Sequence, residues 1–308
     1  MEDLEVVKDV IVKEGMSVEE LVESMSKIGG FSGQHMIDGI KILKRMKEDK
    51  ESYNFLSFTA DIVATGLRGT IAQMVKHFDA IITTCGTLDH DIAKANGARY
   101  RIGSFYVDDR ELFKKDIYRL GNVFIERDDY GLIIEKKMKE YLDKITKDRE
   151  GRYKVSELLY KIGSMIKDNN SILRQAYLNN VPIYVPGIVD GAVGTQLALY
   201  KQEHNFDIDI LGDELDLANK MFEVKKSGAL MIGGGISKHH VIWWNQFKNG
   251  LDYAVYITTA NQFDGSLSGA RLTEAISWGK VKAEAMHTTI DADVTLILPL
   301  MAVAAGLL

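Results

Sequence analysis

Three groups of residues in this sequence could take part in chemistry: a lysine behind a tryptophan, two adjacent histidines behind three glycines, and small polar residues ending several apolar runs. Lys280 closes the segment Ser277-Trp278-Gly279-Lys280. A neutral lysine amine adds to carbon-nitrogen double bonds and can carry a substrate as an imine, but it must lose its proton first. Partial burial or a nearby cation favours that loss, and Trp278 offers an apolar wall. By residue type alone, a lysine is far more often a solvated charge. His239 and His240 follow Gly233, Gly234 and Gly235. An imidazole titrates near neutrality and suits proton removal. The same pair also reads as metal ligands, a helix cap or packing, and no third ligand of convincing spacing accompanies it.

The small polar residues read Thr83-Thr84-Cys85-Gly86, Pro186-Gly187 with Asp190-Gly191, Gly233-Gly234-Gly235, and Thr258-Thr259-Ala260. In open α/β sheets the ligand sits outside the carboxyl ends of strands, where small residues let a phosphate or ribose approach the backbone. The coincidence of these ends describes a cleft for NAD or a similar nucleotide. Each end by itself also reads as a plain turn. No G-x-G-x-x-G follows a first strand, so the ordinary dinucleotide fingerprint is absent.

These groups need a scaffold. Leu21, Met25 and Ile28, then Met36, Ile40 and Leu43, recur at helical spacing on either side of a glycine-rich break, predicting a helical N-terminal extension over residues 1–50. The remainder, 51–308, reads as one continuous domain. Short apolar runs predict buried strands at 55–59, 80–85, 181–185, 229–232, 253–258 and 294–298, with crossover helices at 70–77, 155–169 and 215–227. Alternating strand and helix predicts a doubly wound α/β fold with a mostly parallel sheet covered on both faces.

Composition narrows the class of protein. With 308 residues, 46% of them hydrophobic and 27% charged, the chain can bury a full core and is neither disordered nor fibrous. A net charge of -6, with Lys and Arg interleaved among acids, offers no field for a nucleic-acid backbone and suits a cationic partner better. Cys85 is the single cysteine, which excludes an intrachain disulfide or a multi-cysteine metal site and fits a reducing cytoplasm. The N-terminal MEDLEVVKDVIVKEG lacks the basic-then-apolar pattern of a secretory signal. The uncharged stretch 294–308 is shorter than the roughly 20 residues that span a bilayer and is interrupted by Pro299, so it is expected to form a buried strand and helix.

Read in order, Asp79-Ala-Ile-Ile-Thr-Thr84, Pro186-Gly-Ile-Val-Asp-Gly191, Gly233-Gly-Gly-Ile-Ser-Lys-His-His240, Asn249-Gly-Leu-Asp-Tyr-Ala-Val-Tyr-Ile257, Phe263-Asp-Gly-Ser-Leu-Ser-Gly-Ala-Arg271 and Glu274-Ala-Ile-Ser-Trp-Gly-Lys280 resemble the deoxyhypusine synthase family. The likeness runs from about Gly30 to the end of the chain. It implies a Rossmann-like fold and a homotetramer with active sites shared between paired subunits. The implied activity is an NAD-dependent aminobutyl transfer. Spermidine is oxidised, its butylamine part becomes an imine on an enzyme lysine, and that part passes to one lysine of the hypusine-bearing translation initiation factor. The resemblance places the nucleophile at Lys280 and the base at His239, and leaves His240 without a role. It assigns NAD to Thr83, Thr84, Cys85, Gly86, Asp190, Gly233, Gly234, Gly235, Thr259, Ala260 and Asp293.

For the amine, Asp264, Glu274 and Trp278 stand where the family uses them. Four other positions depart from the pattern, as in an archaeal-type member with a divergent polyamine pocket. Where eukaryotic members have acids contacting the polyamine, this chain has His90, Thr195 and Leu267, and where they have an asparagine beside the base it has Trp243. Each unpaired buried cation costs on the order of several kcal/mol, so a triply charged ligand is not expected in the identical pose. Either spermidine is held differently, helped by Asp89 and Asp91 and contacted by His90, Thr195 and Trp243, or the amine is shorter, less charged or carries another head group. Two alternatives to the main reading are transfer to a free amine, as in homospermidine synthesis, and a catalytically silent NAD-binding subunit.

Overall fold

Two apolar runs of the chain become neighbouring parallel strands. In a computed structural model that describes residues 4–308, Lys226–Ile232 pairs with Leu251–Thr258, placing Gly228 opposite Tyr253 and Ile232 opposite Ile257. Leu251–Thr258 pairs on its other side with Val281–Asp291, again in parallel, and Ser52–Phe58 lies beyond Lys226–Ile232. The helix Phe31–Glu48 turns Met36, Ile40, Leu43 and Met46 inward at helical spacing. It lies close on the sheet, because a Cβ at Gly228 would come within 2.4 Å of the Met46 side chain, and one at Gly39 within 2.9 Å of Ile290. These elements belong to one of two compact units, formed by the chain up to Ser57 and by Lys220–Leu308.

The second unit is Phe58–Asn219. Its parallel pair Ala80–Ile82 and Ile183–Tyr184 sets Ile81 opposite Ile183. Three short antiparallel strands, Arg101–Ile102, Val123–Glu126 and Ile117–Leu120, form a separate sheet, and Gly151–Lys154 pairs in parallel with Phe206–Asp209. The helix Cys85–Ala95 organises the unit through two buried carboxylates. Asp89 accepts from Ala192 N (3.0 Å) and Val193 N (2.8 Å) at the start of the helix Ala192–Glu203. Asp91 accepts from Leu173 N (2.9 Å) and Ser171 Oγ (2.7 Å) at the start of the helix Ile172–Asn179, and from Arg68 Nε (2.6 Å). Residues two apart on a helix point about 200° away from each other, so one helix caps two others on opposite sides.

The architecture is α/β and Rossmann-like, as expected from the alternating pattern. Two expectations need correction. The stretch 294–298 is not a strand but the start of the helix Val294–Ala304, whose first turn is capped by Asp293 accepting from Thr295 N (2.8 Å). Apolar composition alone does not separate a buried strand from a buried helix. The outer strand Val281–Asp291 was absent from the expected set, because an edge strand with one exposed side has no continuous apolar run. Among the described residues no helix is long and apolar enough to cross a membrane.

The Arg68–Asp91 pair is buried on both sides, with side chains 8% and 0% exposed. Removing one partner of such a pair strands the other charge away from water. Asp91→Ala is expected to lower unfolding free energy by about 3 kcal/mol or more in urea titrations, and a loss below roughly 1 kcal/mol would contradict this account.

Candidate active site

The strand Lys226–Ile232 ends at three glycines and feeds the helix Gly235–Asn245. Gly234 is required by close approach: a Cβ there would meet Ser268 Cα at 2.4 Å. His239 and Trp243, one turn apart on this helix, stack with ring centroids 5.8 Å apart. Burial and, secondarily, the charge of Lys280 hold the His239 imidazole below its ordinary pKa. His240 has a different environment. It accepts a hydrogen bond at Nε2 from Trp244 Nε1 (3.2 Å), and burial, reinforced by His239, pulls its pKa down to about 4. It is a neutral acceptor tied to its own helix.

Lys280 is placed by the way the preceding helix ends. Leu272–Ser277 stops in a Schellman motif: Gly279 adopts a left-handed conformation (φ 66°), its N–H donates to Ile276 O (2.9 Å), and Lys280 N donates to Ala275 O (3.0 Å). The chain then enters the strand Val281–Asp291, with Lys280 O accepting from Leu251 N (3.1 Å). The side chain is thereby carried inward, and Lys280 is only 8% exposed. Its Nζ lies 5.2 Å from the Trp278 ring and 5.7 Å from the Trp243 ring. A cavity of about 330 Å³ joins Lys280 to His239, Trp243, Trp278 and Glu274, with Leu267 and Ala270 in its wall. Lys238 and Arg271 also line it, so its charged residues are one carboxylate and three cations, with His239 beside them. Lys238 went unnoticed in the sequence. The signal was available, since it shares the buried stripe of Ser237, Val241, Ile242 and Asn245, and a charge on such a stripe calls for a partner. Asp264 lies outside this lining set: it is exposed and accepts from Ser266 N (2.7 Å) within its own turn.

The residues assigned to a nucleotide fall in both units. Thr83, Thr84, Cys85, Gly86 and Asp190 belong to Phe58–Asn219, whereas Gly233, Gly234, Gly235, Thr259, Ala260 and Asp293 belong to the other unit. Some of them have structural employment. Thr83 Oγ1 donates to Phe58 O (2.8 Å), a Cβ at Gly86 would press on Ala60, and Asp293 is the cap described above. The Cys85 thiol, 1% exposed, is pushed up to about 12 by burial and by Asp89, and so stays protonated. Others lack such employment. The Thr84 hydroxyl is buried without a hydrogen-bond partner at the start of Cys85–Ala95, and that helix has no side-chain cap. The helix Gly235–Asn245 is also uncapped, and the space around Gly235 (φ 64°) is open. Uncapped helix starts with free N–H groups suit the phosphates of a dinucleotide, and the orphaned hydroxyl suits a ligand oxygen.

Of the remaining amine-pocket candidates, Thr195 is exposed and its Oγ1 donates to Gly191 O (3.0 Å). His90 is buried, with Nδ1 2.8 Å from Tyr100 Oη and its ring 5.5 Å from that of Tyr130. Asp89 and Asp91 are not available to an amine, contrary to expectation. Besides the helix caps already described, Asp89 accepts from Tyr130 Oη (2.8 Å), and both residues are at most 1% exposed.

A buried lysine, a histidine and two tryptophans around one cavity of a Rossmann-like α/β scaffold define a class of α/β protein with an aromatic pocket that holds an amine side chain. Comparison with known proteins makes this class specific. The deoxyhypusine synthase family model matches residues 20–305. The chain is 48% identical over 304 residues to the probable deoxyhypusine synthase of Ignicoccus hospitalis, covering 96% of this chain and 94% of that one. It is 47% identical over 300 residues to its counterpart in Picrophilus torridus, covering 96% of each. A crystal structure described as a deoxyhypusine synthase from Entamoeba histolytica shares the fold, with a TM-score of 0.65 at 23% identity over 94% of this chain and 93% of that one. The chain belongs to the deoxyhypusine synthase family, and it is an aminobutyltransferase of hypusine biosynthesis.

The buried His90 makes stability depend on pH. Burial, with the nearby Lys94 charge adding to it and Asp61 opposing, lowers its pKa from 6.5 to about 4. As pH falls from 6.5 to 4 the unfolded chain therefore takes up a proton that the folded chain refuses, and stability is lost. Over that window the urea midpoint of a His90→Gln protein, whose amide can still pair with Tyr100, should fall less than that of the parent. Equal falls would exclude His90 as the titrating group.

Proposed function

We propose that this enzyme transfers the 4-aminobutyl group of spermidine, through an imine on Lys280, to a lysine of the hypusine-bearing translation initiation factor. The observation that carries this reading is the buried Lys280 amine in one cavity with His239 and two tryptophans. NAD is the proposed cofactor: within Phe58–Asn219 the Thr84 hydroxyl, the uncapped helix start at Cys85 and the acceptor Asp190 suit it, and within the other unit the uncapped helix start at Gly235 and the acceptor Asp293 do. When bound, NAD supplies the hydride acceptor for the amine and, once reduced, the hydride that completes the product.

The chain's own groups do the rest. His239, kept neutral by burial and by Lys280, takes the proton from the amine nitrogen as hydride leaves the adjacent carbon. Lys280 Nζ attacks the resulting C=N carbon, the smaller amine departs with the proton, and the aminobutyl group remains as a lysine imine. The acceptor lysine then displaces Lys280 by the same addition and elimination. Trp243 and Trp278 exclude water from the imine and present ring faces to the cationic ends, while Glu274 supplies a carboxylate. The resemblance also names Asp264, His90 and Thr195 for the amine, although none of the three lines this cavity. The family also supports a cytoplasmic homotetramer with shared sites, which light scattering of the purified protein would test.

Incubation with NAD and spermidine, followed by borohydride, is expected to leave a reduced aminobutyl adduct on Lys280 by peptide mass spectrometry. Lys280→Arg, whose guanidinium stays charged, should leave none while NAD binding persists. An adduct located on another residue would overturn the assignment. His239→Gln should lower kcat by roughly 10² to 10⁴, the usual contribution of a general base. The acid limb of kcat/KM in the parent enzyme should lie below pH 6.5, because the pKa of His239 is lowered from that value.

A further inference from the structure

The helix that presents His239 also buries a second cation, which the amine chemistry leaves unused. Lys238 is 1% exposed, and an ammonium so far from water is tolerated only if its N–H groups are engaged. Its Nζ donates to Leu267 O (2.9 Å) and Ala270 O (2.6 Å) and lies 3.7 Å from the centre of the Tyr256 ring. Both carbonyls belong to residues 261–271, which connect the strand Leu251–Thr258 to the helix Leu272–Ser277. Between them, Ser268 O accepts from Tyr256 Oη (2.6 Å) and Thr258 Oγ1 (3.1 Å). Gly234 leaves room for Ser268 to sit directly on the start of the histidine helix. The connecting segment is thus held from beneath by one lysine and two hydroxyls, and it contributes Leu267, Ala270 and Arg271 to the cavity wall.

We propose that Lys238 is a positioning residue for the amine pocket: its side chain draws the 261–271 segment onto the histidine helix and so fixes the wall against which the amine binds. The inference rests on the reading of this cavity as the amine site. Burial lowers the Lys238 pKa to about 7 against the raising influence of Glu274, and Arg271 lowers it further. The clamp does not depend on that charge. A neutral amine keeps two N–H donors, one for each carbonyl.

The test is steady-state kinetics of Lys238→Met, which keeps the stem and removes the donors. The amine KM should rise on the order of tenfold or more, because a wall displaced by about 1 Å costs binding and alignment. Turnover at saturating amine should fall less, and the Lys280 adduct should still form at high amine. Tyr256→Phe, which removes only a Ser268 contact, should raise KM by a smaller factor. The double variant should show less than the product of the two factors, since both groups hold one segment. An unchanged KM in folded Lys238→Met, or a loss confined to kcat, overturns the proposal. Where Lys238→Met does not fold, an unchanged KM in both Tyr256→Phe and Thr258→Val does the same. Failure of the underlying reading looks different, because the parent enzyme itself would then form no adduct on Lys280.

Discussion

Lys280 must be carried inward from a helix end and yet stay on the cavity, and here the left-handed turn at Gly279 reconciles the two. It ends the helix Leu272–Ser277 with both Schellman hydrogen bonds made, places Trp278 on the open side at 66% exposure, and carries Lys280 inward at the start of an edge strand. A side chain bearing Cβ would be strained at φ 66°, and without this turn the tryptophan and the lysine would not flank the same cavity. The parallel pairing of Val281–Asp291 with Leu251–Thr258 then fixes the depth of the lysine relative to the histidine helix, which rises from the next strand of the sheet.

Both units spend buried charges on holding backbone. In Phe58–Asn219, Asp89 and Asp91 are consumed as acceptors for helix starts, and Asp91 is also paired with the Arg68 guanidinium. In the other unit, Lys238 is the converse: a cation satisfied by carbonyls at the edge of a cavity. The carboxylate that lines the cavity is Glu274, and much of the rest of its lining is aromatic or aliphatic.

Several features were determined by the sequence alone. The strands at 229–232 and 253–258 were legible because burial on both faces demands continuous apolar runs, and the N-terminal helices because their apolar residues recur at helical spacing. Lys280, His239, Trp278, Glu274 and Trp243 were singled out through the resemblance and its departures, and the structure brings all five to the lining of one cavity. One further feature was local but ambiguous: an uncharged apolar run suits strand or helix alike, and at 294–298 the Asp293 cap accompanies a helix. The structure alone decided what depends on distant partners. Whether Asp89 and Asp91 face a ligand or a helix start depended on hydrogen bonds to residues some 80 to 100 positions away in the chain. The burial of Lys238 likewise depended on carbonyls about 30 residues onward. A carboxylate or an ammonium carries the same charge in any sequence, and only packing determines whether a backbone group or a substrate neutralises it.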